Sequence, residues 1–334
     1  MTAGSTDFIC PACRLPVASN DDGYTCAVCS RVYPVLFGIP DFRLEGDQYL
    51  SLDAEREKAG KLHAYAQDHD FAALVSFYYS ITDDVPAKLA PVFAGYVLQA
   101  PERSAAALKA LAPEGGRSLL DLGCGSGGAV VAAKGMFVET TGVDLALRWL
   151  VIAQKRLKQL GIEAKLICAD AEALPFRDGS FSHVLAADLL ENARSPEAVV
   201  RAAGSVLQGR GHLYVSSSNS RWIGPHPATG VWAAGFLPER IRKPMLERTH
   251  GVDILRAVSF VSPGSVRRVA TRAGLRQLKA TPLAIDAARL NGRSNILRSL
   301  AEAYSILASL PVFRTVLVVV GPFFQSLFVK EYIK

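Results

Sequence analysis

Leu119-Leu120-Asp121-Leu122-Gly123-Cys124-Gly125-Ser126-Gly127-Gly128 is the stretch on which the reading of the fold turns. An apolar run carrying one carboxylate feeds into four glycines within six positions, and a helical pattern begins near Ala129. Glycines permit the tight turn and let ligand atoms approach the backbone, while the following helix offers unpaired N–H groups. Gly123, Gly125 and Gly128 also satisfy GxGxxG, the dinucleotide pattern, which alone is a weak signal.

The carboxylates that follow shift the balance. Asp121 ends the first strand directly before the loop, where it can take the amino group of a bound amino acid and would repel a pyrophosphate. Asp144 ends a second strand and can accept two ribose hydroxyls, a role common to both cofactor classes. Asp170-Ala171-Glu172 ends a third, where a side-chain acceptor and a backbone N–H can read an adenine edge.

Working outward, β-branched runs at about 117–122, 138–143, 164–169, 181–187 and 210–217 alternate with helical patterns, which predicts a parallel α/β sheet. Further strands are expected at about 275–283 and 323–331. Leu147, Leu150, Val151, Leu157 and Leu160 make one helix face that stops at Gly161. Ser195-Pro196 and Ser262-Pro263 read as caps with first-turn prolines, closed by Gly209 and Gly274. Residues 50–112 carry apolar positions, Leu62, Tyr65, Phe71, Leu74, Val75 and Tyr78 among them, spaced for amphipathic helices.

In order and spacing these motifs resemble the class I S-adenosylmethionine-dependent methyltransferases, especially the branch that includes ubiquinone and menaquinone biosynthesis enzymes. The resemblance rests on the DLGCGSGG loop, Gly142-Val143-Asp144, residues 169–176, Asp178-Gly179-Ser180-Phe181 and residues 206–211. It covers 115–220 well and 260–285 loosely. It implies a Rossmann-like seven-stranded sheet that binds S-adenosylmethionine through Gly123, Gly125, Asp144, Asp170 and the backbone of Ala171, with Asp121 and Gly127 of the same loop as further candidate contacts. A dehydrogenase is the rival reading of the same loop.

Methyl transfer from a sulfonium uses an already activated donor, so the protein mainly positions the acceptor and at most removes its proton. In the resembling branch a Leu-Glu-His segment follows the fourth strand; here Asp188-Leu189-Leu190-Glu191-Asn192 puts asparagine in place of histidine. Asp188 and Glu191 stay as cleft candidates. His226, in the loop after the fifth strand, is the first choice for a base because imidazole titrates near neutral pH. His183 and His212 are expected to pack on strands.

Cys10-Pro11-Ala12-Cys13 and Cys26-Ala27-Val28-Cys29 lie twelve residues apart, the arrangement of a closed structural zinc shell. The residues after them, Tyr33-Pro34 and Gly38-Ile39-Pro40, resemble the small zinc-ribbon protein that activates partner methyltransferases. That resemblance implies an activator fused in the same chain. Met1 to Asp7 has neither a basic start nor an apolar stretch, so a reducing cytoplasm is expected.

The organisation expected is a zinc ribbon over 1–45, a helical cap or linker over 46–114, and a methyltransferase domain over 115–334. That domain carries a roof insertion at 218–260 and a helical insertion at 286–321. Trp222, Trp232, Phe236, Leu237, Met245 and Ile254 in the first insertion would suit a small or lipid-linked acceptor methylated on oxygen. The alternatives are an RNA methyltransferase and a non-catalytic methyltransferase partner. Charge bears on RNA: residues 1–50 hold six acidic and three basic side chains, whereas 235–298 hold thirteen basic and four acidic ones. An anionic partner would therefore meet the C-terminal third and not the ribbon. The apolar run 310–329 is interrupted by Gly321-Pro322, which predicts a buried helix followed by an edge or antiparallel strand. Peripheral membrane contact is the main alternative there.

Overall fold

The computed structural model describes residues 8–46, 50–82, 85–227, 229–250, 258–283 and 295–332. Four short strands open the chain, β1 (Ala18–Asn20), β2 (Gly23–Thr25), β3 (Val32–Leu36) and β4 (Ile39–Pro40), paired in that order. Helices α1 (Leu52–Asp68), α2 (Phe71–Ser80), α3 (Ala90–Leu98) and α4 (Ala100–Leu111) follow. The side chains of Ser51 and Asp70 cap the first two, and a proline within the first turn starts each of the others.

The alternation then begins: β5 (Gly116–Leu122), α5 (Gly128–Ala132), β6 (Phe137–Asp144), α6 (Leu147–Gln159), β7 (Lys165–Cys168), β8 (Phe181–Ala187), α7 (Pro196–Val206) and β9 (Leu207–Ser218). After α8 (Glu239–His250) come α9 (Pro263–Arg272), β10 (Leu275–Pro282), α10 (Asn295–Ser309), α11 (Pro311–Val320) and β11 (Phe323–Lys330). Strands stand in the order β7-β6-β5-β8-β9-β11-β10, and β11 runs antiparallel to both neighbours. This is a seven-stranded Rossmann-like sheet. The chain winds outward from β5 to β7, then returns and builds the other half from β8. The crevice left between β5 and β8 at their carboxyl ends is where such sheets bind ligands.

Both faces of the sheet are covered. Leu120, Leu122, Val184, Val215 and Phe328 are buried in one core with Val199, Val200 and Ala203 of α7. Leu147, Leu150 and Val151 of α6 meet Leu62 of α1 and Leu74 and Val75 of α2 in a second. Glu55 of α1, fully buried, pairs with the guanidinium of Arg148 and accepts its backbone N–H at 2.8 Å, which pins α1 to α6.

Three local expectations change. Gly209 does not close α7, because β9 begins at Leu207 directly after it and the left-handed residue of that junction is Arg210. Strand 323–330 is antiparallel as expected but lies inside the sheet. Helix 311–320 carries no buried residue: it rests on the β10–β11 side of the sheet, where Val318 packs against the core, and turns Val312, Phe313, Val316, Val319 and Val320 outward. Among the described residues no single helix is long and apolar enough to cross a membrane. Residues 286–294 of the expected helical insertion, and Ile254, lie outside the described residues.

The ribbon shares its core with the large sheet. Cys10, Cys26, Tyr33 and Phe42 are buried with Leu174, Phe176 and Phe181. Phe8 packs its ring against Tyr24, Phe42 and Phe176 at 5.3, 5.0 and 5.9 Å between centroids. Asp41 bridges to Cys168 in parallel register, continuing the sheet beyond β7.

Candidate functional site

The glycine loop crosses the end of β6. The N–H groups of Gly123 and Cys124 donate to the Val143 carbonyl at 2.8 and 3.0 Å, and that of Gly125 to Asp144 Oδ2 at 2.8 Å. Gly123, Gly125 and Gly127 have φ of +74°, +48° and +76°, a region closed to most side chains. No atom lies within 4 Å of where a Cβ on Gly125 would sit, whereas one on Gly128 would meet the Ala100 Cβ at 2.5 Å. The loop thus packs tightly on α4 behind and leaves open space in front.

Asp121 is buried at the mouth of that space, and its Oδ2 accepts no hydrogen bond among the described residues. Burial, reinforced by the charge of Asp144, pushes its pKa up to about 7. A buried carboxylate left unsatisfied by the protein calls for a cationic ligand. Asp144 is also pushed up by burial, against the stabilising N–H groups of Ala146 and Gly125. Its two oxygens each take one loop amide, which fixes the carboxylate and leaves lone pairs free to accept further hydrogen bonds.

Two connected cavities flank the loop. The first, ≈ 300 Å³, is lined by Gly123, Gly125, Asp144, Trp149, Asp170 and Ala171 together with Arg194. The second, ≈ 560 Å³, is lined by Asp121, the loop, Tyr79, Tyr96 and Arg103 on one side and Tyr214, Ser216 and Gln325 on the other. Gly123, Gly125, Trp149 and Asp188 border both. Asp188 holds a left-handed φ of +54° at the end of β8, and its carboxylate accepts from Ser216 Oγ at 3.0 Å. Such a conformation is costly for a residue with a Cβ and concentrates at functional sites.

The other acid–base candidates stand apart from these walls. Glu191 is buried, accepts from Ser217 Oγ at 2.6 Å and the Ser218 N–H at 3.4 Å, and is raised to about 7 by burial and by Asp188. It lines neither cavity. His226 is buried with its ring 4.9 Å from Phe260, lowered to about 4 by burial and by Arg242, and also lines neither. Among the described residues, segment 218–260 contributes none to either wall, and Trp232 and Phe236 point outward; α3 and α4 line the cleft instead. His183 and His212 stack at 5.5 Å on neighbouring strands, as expected.

Several wall residues were not legible in advance. Arg194 pairs with Asp170 and, at 3.0 Å, with Glu45 of the ribbon's exit. Tyr214 donates to Gln325 Oε1 at 2.6 Å, and Gln325 Nε2 to Thr281 at 3.0 Å. This polar ladder across β9, β11 and β10 depends on strand order, which single-strand patterns do not reveal.

At the ribbon, the four Sγ atoms of Cys10, Cys13, Cys26 and Cys29 lie within 4.8 Å of one another, with neighbours at 3.4 to 3.5 Å. Zinc–sulfur bonds of about 2.3 Å in a tetrahedron place sulfurs about 3.8 Å apart, so the donor set fits structural zinc. Arg14 and Ser30, each just after a CxxC pair, turn left-handed to close the two knuckles. Arg14 also donates to the carbonyls of Leu174 and Phe176 and to Asp178. Arg43, paired bidentately with buried Asp41, reaches the Leu145 carbonyl beside the Asp144 loop at 3.4 Å.

Residues 120–215 match the family described as "Methyltransferase domain". The chain is 29% identical over 162 residues to the ubiquinone biosynthesis O-methyltransferase of Cupriavidus pinatubonensis, covering 48% of this chain and 60% of that protein. It is 28% identical over 166 residues to the protein of the same name from Thiobacillus denitrificans, covering 49% of this chain and 66% of the relative. A solved chain from the complex between the Haloferax volcanii Trm112 methyltransferase activator and a methyltransferase is 19% identical. There the likeness covers 72% of this chain and 96% of that one, with a TM-score of 0.47. The chain thus spans less than two thirds of the length of these curated relatives. Residues 120–215 thus carry a methyltransferase domain, and the strand order and the carboxylate-flanked glycine loop around it fit the class I S-adenosylmethionine-dependent type.

Proposed function

We propose that the protein methylates a small, lipophilic acceptor on oxygen. The observation that carries this is the second cavity. It opens from the unsatisfied carboxylate of Asp121, passes an apolar wall of Tyr96, Val97, Ala106 and Ala107, and ends on the Tyr214–Gln325 pair. Tyr79 also borders a further cavity of ≈ 650 Å³ lined by Val85, Pro86, Ala87, Ala90 and Pro91, room for an apolar tail. The name printed for the relatives, an O-methyltransferase of ubiquinone biosynthesis, supports the same acceptor class and atom.

In this reading Asp121 holds the ammonium of S-adenosylmethionine, Gly123, Gly125 and Gly127 cradle its amino-acid part, and Asp144 holds the ribose. Asp170 and the Ala171 N–H meet the adenine. The sulfonium supplies an activated methyl group. Asp188, on the border of both cavities, receives the acceptor's hydroxyl proton, and Tyr214 with Gln325 orients the acceptor's polar end. Glu191 and His226 hold the walls in place. We assign residues 1–45 as a zinc ribbon that buttresses the cofactor loop through Arg43, and 46–114 as the cap.

Calorimetry of the zinc-loaded protein with S-adenosylhomocysteine tests the cofactor reading, which Asp144→Ala should abolish. Labelled methyl transfer to a panel of catechols and quinols tests the acceptor reading, and Asp188→Asn should lower kcat there. Cofactor binding with no transfer to any phenolic acceptor would overturn it. RNA methylation lost on changing Arg267, Arg268 and Arg272 would replace it.

A further inference from the structure

The described chain exposes an apolar surface that neither the cofactor nor the acceptor cavity uses. Helices α10 and α11 meet at an angle of 119°, too sharply bent to act as one spanning rod. On α11, Val312 is 78% exposed, Val316 56% and Phe313 47%; on α10, Ile306 is 63% exposed. Arg314 is exposed on the same helix, and Glu302 is the one acidic residue in the sequence of the pair. Apolar patches of this kind on a water-facing surface mark interaction sites.

The patch sits at the working edge of the sheet. Asn219, directly after β9, donates its amide to the carbonyls of Val319 and Gly321 at 2.9 and 3.0 Å. Phe323, at the start of β11, pairs with Ser218 at the carboxyl end of β9. The pair of helices therefore springs from the same edge as the glycine loop and Asp188, and Leu283, where it departs from β10, lines the cleft. The segment after Asn219 leaves that edge as well, and it exposes Trp232 at 70% and Phe236 at 56%. Exposed Arg240 and Lys243 follow within α8, in the region where basic side chains outnumber acidic ones thirteen to four.

We infer that this edge docks on an anionic lipid surface, with α11 and the Trp232–Phe236 loop lying in the interface and the basic residues over the headgroups. Helices that lie in an interface combine an apolar face with basic side chains. Aromatic residues favour the headgroup level, and an anionic surface attracts cations. A second copy of the chain would bring the same cations together, which disfavours a dimer through this face. The inference is independent of the acceptor's identity, since it is read by binding alone.

The test is co-sedimentation of the full zinc-loaded chain with vesicles of phosphatidylcholine alone or mixed with phosphatidylglycerol. Binding should be at least about tenfold stronger to the mixed vesicles and should weaken with salt. Val312→Glu with Val316→Glu should abolish it while leaving the melting temperature and S-adenosylhomocysteine affinity unchanged. Arg240→Glu with Lys243→Glu should reduce the preference for phosphatidylglycerol. No binding to either vesicle, or equal binding by the Val312/Val316 variant, would overturn the inference. So would a dimer, seen by analytical ultracentrifugation, that the same variant dissolves.

Discussion

If Asp121 is the cofactor's ammonium ligand, its raised pKa of about 7 makes binding pH-dependent in a defined direction. In the free protein the native state keeps the proton on Asp121 more tightly than an exposed aspartate would. That group's contribution to folding is thus present at acid pH and lost as pH rises through about 7. An ammonium beside it reverses the preference, so binding expels the proton. Affinity should rise with pH from 5 to 7 by at most about tenfold per unit for one proton, about a hundredfold in all, and level off above. Calorimetry in two buffers of different ionisation enthalpy counts the released proton. 5′-Methylthioadenosine, which lacks the amino-acid part, isolates the effect: it still engages Asp144, whose own burial also favours the protonated form, but not Asp121. The slope should therefore be steeper for S-adenosylhomocysteine than for methylthioadenosine, and Asp121→Asn should erase the difference. Equal slopes for the two ligands in the parent protein would refute the assignment.

Other expectations are more direct. Arg43→Ala strands Asp41 in a buried site and should cost about 3–5 kcal/mol in urea unfolding, with weaker cofactor binding through Leu145. One zinc per chain should be found by mass spectrometry, and Cys26→Ser should lower the melting temperature of the methyltransferase domain, not of the ribbon alone, because their cores are continuous. Gly128→Ala should push α5 from α4 and lower stability by about 1–3 kcal/mol, measured by chemical denaturation. His226→Gln should leave the rate of methyl transfer within a few fold. It should also soften acid unfolding: His183 and His226, both held near 4, favour the native state above their ordinary pKa, and that contribution is lost as pH falls from about 6.5 towards 4.

The strand ends and the cofactor loop were readable because each is a local pattern. β8 runs over the residues its apolar run predicts, and β5 differs only by starting one residue earlier, at Gly116. Asp121, Gly125, Asp144 and Asp170 converge because a parallel sheet brings the carboxyl ends of its strands to one edge. The acceptor side was less readable, since it is built from contacts between distant segments. Tyr214 and Gln325 meet only because β11 inserts beside β9, and Arg194 becomes a wall residue by bridging Asp170 and Glu45. The outward-facing α11 defeated the reading for a different reason. Composition reports how apolar a helix is, but not which neighbour, if any, lies against it.

The place of β11 bears on the order in which the molecule can be made. Its hydrogen-bond partners, β9 and β10, are both synthesised earlier, so they must wait, with a gap between them, for this strand to emerge. Gln325 arrives with it. A nascent chain can therefore assemble the glycine loop long before the second cavity gains the side contributed by Gln325. Non-local pairings of this kind form late and leave strand edges open meanwhile. On the assignments proposed above, the nucleoside site would then be complete while the second cavity still lacks Gln325.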